Sequence, residues 1–296
     1  MHGDVVSAWD ARVRANPEAI GLRYFDVSLS LAQMDAVANA LAACLRDQGV
    51  QAEDRIGISL QNVPYFPLAM LAVWKAGATV LLLNPAYREQ ELAFLLRDSQ
   101  ACGVVCSPDS ADMISAAASG QDQLRFVWIA TELDFPSRNV FPTTREAASS
   151  AFGIDIGECL ATHEGTGAPD RTRSPQSPAL LAYTSGTTGP PKGAINSDAN
   201  ILSVISSYGP VVGIDQADVI LAVAPFFHIT GAVVTASLAL LGGCELVMIG
   251  RFQPELAVDA IIEHSVTHTI GAITAFNAVS RLDGAGRDDF RTVRSL

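Results

Sequence analysis

Unbroken apolar runs alternate with amphipathic stretches along most of the chain. Short runs at 56–60, 79–83, 103–106 and 126–130 read as strands, and they lack the in–out alternation of a half-solvated sheet. Between them the spacing is helical. Leu31, Met34, Val37, Ala38, Leu41 and Leu45 recur at helical intervals and predict a helix that starts at Ser30. Ser30 and Gln33 fit a capping box, and Gly49 supplies the stop. A second helix is predicted from a cap at Asn62 to Gly77, with Pro64 and Pro67 tolerable only near its start. Helices at 88–98 and 111–118 complete this half. Strands that are apolar on both faces need helices on both sides, so the predicted class is α/β, with largely parallel sheets flanked by helices.

Residues 131–178 change texture and become rich in Ser, Thr, Pro and Gly, the composition of a meandering connection or boundary. The alternation then resumes. Strands are predicted at 179–183, 219–224, 245–249 and 267–271, and helices near 199–207, 231–241, 254–263 and 276–282. Two α/β subdomains are expected, 1–178 and 179–296.

Residues 183–194, YTSGTTGPPKGA, follow a buried strand and carry the densest chemistry. Four of the five residues from Thr184 to Thr188 bear hydroxyls, three glycines allow close backbone approach, and Lys192 adds one positive charge. Backbone N–H groups, short hydroxyls and an ammonium are the donors a polyphosphate requires. The string is not a GxxxxGKS/T loop, because Pro191 precedes and Gly193 follows Lys192. Nor is it a GxSxG elbow, because Tyr183 stands at the first glycine. A plain Ser- and Gly-rich loop between two strands is the alternative. A second candidate is His228 in residues 225–231, PFFHITG. From the residues alone, a lone histidine in an apolar run is more often a satisfied core residue than a site residue.

Composition narrows the field. Apolar residues make up 49% and charged residues 17%, and 19 Lys and Arg against 31 Asp and Glu leave a net charge of −12. That balance argues against nucleic acid or an anionic membrane as partner. Five scattered cysteines and an N-terminus without an apolar signal core predict a reduced, cytoplasmic chain. No Asp, Glu, Lys or Arg falls between Asp218 and Glu245, but Pro225, His228, Gly231, Gly242 and Gly243 interrupt that stretch, so no integral membrane span is expected. His264 and His268 have helical metal-ligand spacing but lack a third ligand, and 171–173 reads as a solvated linker.

The 183–194 string resembles the phosphate-binding signature of the adenylate-forming superfamily, which includes acyl-CoA synthetases and peptide-synthetase adenylation domains. The resemblance extends to SLAQMD at 30–35, KAGATVLLLNP at 75–85 and APFFHITG at 224–231. It implies a layered αβαβα large domain and an ATP-dependent ligase that forms an acyl-adenylate, then a thioester with coenzyme A. It implies that Thr184, Ser185, Gly186, Thr187, Thr188, Gly189 and Lys192 wrap the ATP phosphates, with Thr188 near Mg2+. It also implies that His228 lies beside the substrate carboxylate. Amino-acid-activating relatives tend to hold an Asp there, so His228 tilts the substrate towards a plain carboxylic acid, with 231–241 lining an acyl pocket. A medium- or long-chain acid is the default, and an aryl acid stays open. The chain departs from the family at its end. It lacks the YGxTE motif, the ribose aspartate and a mobile C-terminal domain, so it is expected to be an N-terminal part, inactive alone and able to pair as a homodimer through exposed apolar surface. Ile273 stands where a proline is common, and Asp198 reads as an ordinary helix-start residue. A non-catalytic polyphosphate-binding module is the competing reading.

Overall fold

The computed structural model describes residues 3–131, 134–135, 153–170, 173–184 and 190–295. The chain opens with α1 (Val5–Ala15), which the apolar pattern does not announce. Its cap, Asp4, accepts from the Val6 and Ser7 N–H groups at 3.0 and 2.9 Å. The hairpin of β1 (Ile20–Tyr24) and β2 (Val27–Ser30) leads into α2 (Leu31–Asp47), whose capping box at Ser30 and Gln33 forms as expected. Next come β3 (Arg55–Ser59), α3 (Tyr65–Lys75), β4 (Thr79–Leu82), α4 (Glu89–Ser99), β5 (Ala101–Cys106), α5 (Pro108–Ala117) and β6 (Phe126–Ile129). Within the stretch read as a connection lie a two-residue β7 (Ile154–Asp155) and α6 (Ile156–Thr162).

The second half holds β8 (Pro178–Thr184), β9 (Lys192–Ser197), α7 (Asp198–Val212) and β10 (Val219–Leu221). A π-helical stretch, Gly231–Ser237, runs into α8 (Leu238–Gly242). It is followed by β11 (Glu245–Met248), α9 (Pro254–His264), β12 (His268–Thr269) and α10 (Ile273–Val279).

Two sheets result. One has seven strands in the order β7-β6-β5-β3-β4-β8-β9, and the other has five in the order β12-β10-β11-β1-β2. All pairings are parallel except the hairpins β1–β2 and β8–β9. The architecture is the α/β, two-sheet, largely parallel one that the pattern predicts. The sheets exchange strands: β8 and β9 complete the sheet built by the first half, while β1 and β2 complete the other.

Burial explains the layering. Phe126 and Trp128 of β6 join the core shared with α2, α3 and the five-stranded sheet, whereas Val127 and Ile129 face Leu92, Leu95 and Ile114 of α4 and α5. Every residue of α3 is buried, Lys75 included. Its ammonium is matched by Asp35 at 2.9 Å and Asp10 at 3.2 Å, which makes a buried charge tolerable. Among the described residues no helix is long and apolar enough to cross a membrane.

Three local readings are corrected. Asn62 does not cap α3, whose N-terminus at Pro64 has no side-chain cap. Arg173 is not solvated, and Asp198 is not an ordinary helix-start residue. Their side chains are 1% and 0% exposed and pair bidentately, with both N–O distances at 2.7 Å. Asp198 also accepts from the Val5 N–H at 3.1 Å, while Arg173 donates to the Ala78 and Pro178 carbonyls. Burial raises the Asp198 pKa, and the Arg173 guanidinium opposes that shift. The cap of α7 is Ser197, in a box with Asn200.

Candidate functional site at one sheet edge

Strand β8 carries the hydroxyl-rich loop to the edge of the seven-stranded sheet. It pairs with β4 on one side, and with β9 on the other in a register that sets Thr184 directly opposite Lys192. The loop is therefore closed at its base by two of the predicted site residues. The sequence pattern placed no strand after it. β9 is short, polar and mostly exposed, with Ile195 67% open to solvent, so it has no apolar alternation to betray it. Gly193 packs closely on β8, since a Cβ there would meet Leu181 Cδ1 at 2.9 Å and press that side chain aside. Tyr183 donates its hydroxyl to Asp98 at 2.5 Å, and burial followed by this bond raises its pKa. Thr184, Pro190, Pro191 and Lys192 are exposed. Ser185, Gly186, Thr187, Thr188 and Gly189 lie outside the described residues.

His228 belongs to the other sheet. It sits in the turn after β10, exposed, at the mouth of the π-helical stretch. Its N–H donates to the Pro225 carbonyl at 3.1 Å and its carbonyl accepts from the Ala232 N–H at 2.9 Å. The rings of Phe227 and His228 lie 5.0 Å apart. Gly231 packs so closely under the turn that a Cβ would fall 2.0 Å from the Pro225 oxygen. Phe226 is buried against Phe66 of α3, with ring centroids 5.4 Å apart.

Asn62 secures this turn. Its Nδ2 donates to the carbonyls of Ala222 and Ala224 at 2.9 and 3.0 Å, and its Oδ1 accepts from the Phe226 N–H at 2.8 Å. A single asparagine just past β3 thus satisfies three buried backbone groups just past β10. The sequence marks Asn62 only as a candidate helix cap, because these partners lie about 160 positions away.

The same contact relates the two candidate regions. β3, β4 and β8 are parallel, so Asn62 and Thr184 both lie at the carboxyl edge of their sheet, separated by roughly 10 Å of strand spacing. Asn62 touches the segment beyond the carboxyl end of β10. The Thr184–Lys192 closure and the His228 turn therefore both lie beyond the carboxyl ends of parallel strands, where open parallel sheets receive ligands.

The remaining candidates are not brought together. His264 ends α9 while His268 is buried in β12, 3.6 Å from Asp218, and burial lowers both pKa values. Among the described residues no group of three or more His, Cys, Asp or Glu could hold a metal ion. Thr184 and Lys192 offer a hydroxyl and an ammonium but no carboxylate, so the described part of the loop does not build a Mg2+ site.

Comparison with known proteins identifies the class. The AMP-binding enzyme family matches residues 9–296, and the chain belongs to that family. It is 27% identical over 279 residues to the long-chain-fatty-acid–CoA ligase of Bacillus subtilis, a match covering 88% of this chain and 48% of that protein. The chain thus spans about half the length of that relative. The inhibitor-bound N-terminal domain of FACL13 from Mycobacterium tuberculosis shares the fold with a TM-score of 0.81 at 22% identity, over 96% of this chain and 66% of that one. ATP-bound MatB from Rhodopseudomonas palustris gives 0.77 at 21% identity, over 100% of this chain and 55% of that one.

Proposed function

We propose that the chain forms the nucleotide- and acid-binding part of an ATP-dependent acid–thiol ligase. In this reading a carboxylate oxygen attacks the α-phosphorus of ATP. The bond to the bridging oxygen of the β-phosphate breaks, and pyrophosphate departs. The thiol of coenzyme A then attacks the acyl carbon and AMP leaves. The observation that carries the reading is that the Thr184–Lys192 closure lies at the carboxyl edge of its sheet, the edge from which Asn62 reaches the His228 turn of the other sheet.

Each region has a role that suits its chemistry. The donors of 184–192, including Ser185, Gly186, Thr187, Thr188 and Gly189, hold the β- and γ-phosphates, and Lys192 offsets the charge that builds on departing pyrophosphate. Thr188 would help hold Mg2+, an ion that would arrive with the phosphates and offset their charge. His228 orients the carboxylate. An imidazole gives no fixed negative charge for a substrate ammonium, so the acid is a plain aliphatic or aryl one. The bonds that Asn62 makes to the turn hold that acid-facing group in place.

The test is a calorimetric titration of ATP with Mg2+ into the protein, with decanoate, benzoate and glycine present in turn. The reading expects ATP to bind and decanoate or benzoate to tighten it, with no response to glycine. Folded protein that does not bind ATP, or tightening by glycine alone, contradicts it.

A further inference from the structure

The hairpin of β8 and β9 projects past the strand that supports it. Among the described residues, the β4 ladder reaches β8 at Leu180 and Leu181, opposite Val80 and Leu81, and goes no further. From Ala182 to Thr184 the pairing continues on the β9 side, with Ala194, Gly193 and Lys192. β9 is itself an edge strand, exposed from Lys192 to Ile195. The end that carries Thr184 and Lys192 is therefore an overhang, and a two-stranded ribbon is a weak support by itself.

A cavity of about 290 Å³ lies under the overhang, lined by Tyr87, Phe94 and Leu95 around α4 and by Tyr183, Thr184 and Pro191 of the hairpin. Tyr183 ties the two sides together. Its ring packs against Gly193, where a Cβ would fall 3.2 Å from the Tyr183 Cζ. Its hydroxyl donates at 2.5 Å to Asp98, in the last turn of α4. Burial and that bond raise the Tyr183 pKa, so the phenol keeps its proton and remains the donor. Thr184 is the next residue in the chain, and Gly193, opposite Tyr183, adjoins Lys192. The bond thus acts one residue away from both groups at the base of the loop.

We propose that Tyr183 is a positioning residue for phosphate binding: through Asp98 it holds the overhang above the cavity and so sets where Thr184 and Lys192 stand. The proposal deepens the phosphate reading of 184–192 and rests on it. It requires no contact between Tyr183 and the ligand. Charge-assisted hydrogen bonds are short and directional, so donors that drift by roughly an ångström lose much of their hold on a phosphate oxygen. Without the strut the hairpin end can settle into the cavity, and binding weakens although every donor is still present.

The experiment titrates pyrophosphate calorimetrically into the full chain and its variants. Tyr183→Phe keeps the ring on Gly193 and removes only the hydroxyl, and it is expected to bind about fivefold more weakly, the worth of one hydrogen bond. In an Asp98→Ala background the same change should have no effect, because the bond is already gone. That comparison also cancels the charge of the carboxylate itself. Ile114→Val, a core truncation in α5, should lower the unfolding midpoint and leave the affinity unchanged, which separates positioning from general destabilisation. If wild type binds pyrophosphate and Tyr183→Phe binds it equally well, or if the loss persists in the Asp98→Ala background, the positioning role is overturned while the phosphate reading stands. If folded wild type binds none, both fall.

Discussion

The turn at 225–231 and the hairpin end at 184–192 both follow the carboxyl ends of parallel strands, yet the chain fixes them by different means. The turn is held from its interior: Asn62 binds three of its backbone groups, Phe66 packs on Phe226, and Gly231 lets the next helix press against Pro225. Among the described residues, the hairpin end is held at its base by the Thr184–Lys192 register, the Gly193 contact and the Tyr183–Asp98 bond. Its described tip residues face solvent. A group that must orient one carboxylate needs a rigid support. In the proposed reading, donors for phosphate stay uncommitted, since any internal partner would compete with the ligand.

The largest test of this contrast lies at the hairpin base. Arg173 grips the Pro178 carbonyl at the start of β8 and pairs with Asp198 directly after β9. Arg173→Ala leaves a buried carboxylate alone and should cost about 3–5 kcal/mol, read as a lower midpoint in urea unfolding. A near-neutral result would mean the hairpin does not depend on its buried base.

The turn should respond less in stability but more locally. Asn62→Ala strands three buried backbone groups and should cost about 1–3 kcal/mol. It should also shift the His228 side-chain resonances in an NMR spectrum, while Lys192→Ala leaves them in place. Equal shifts in both variants would dissolve the distinction between the two regions.

A subtler effect is on pH. The folded-state pKa of Asp198 is raised by burial, so the native state holds that proton more tightly than the unfolded chain. Stability therefore falls as pH rises from the unfolded carboxylate value through the folded one. Without the opposing guanidinium the window widens. The stability gap between wild type and Arg173→Ala should be small near pH 4, around the ordinary Asp range, and grow towards neutrality. A gap independent of pH would show that the pair acts through packing alone.

What the sequence revealed follows burial. The strands and helices from Leu31 to Ile129 were legible because both sheet faces are covered, which forces unbroken apolar strands and periodic helices. α1 escaped because only Val5, Val6 and Trp9 of its eleven residues are buried. β9 escaped because an exposed edge strand has no apolar face to show. The phosphate-loop and His228 candidates were proposed from local composition and family likeness. Asn62 and Arg173 were not, since an asparagine or arginine in a loop takes its meaning only from partners that folding brings in from afar.

The central claim is that the hydroxyl- and glycine-rich hairpin end is a cradle for phosphates. It is tested most directly by titrating pyrophosphate into wild-type protein and into Lys192→Ala, an exposed substitution expected to leave unfolding unchanged. Loss of one charge-assisted contact predicts binding weaker by roughly tenfold or more in the variant. Equal affinity in the two proteins, or no pyrophosphate binding by the folded wild type, would contradict the account.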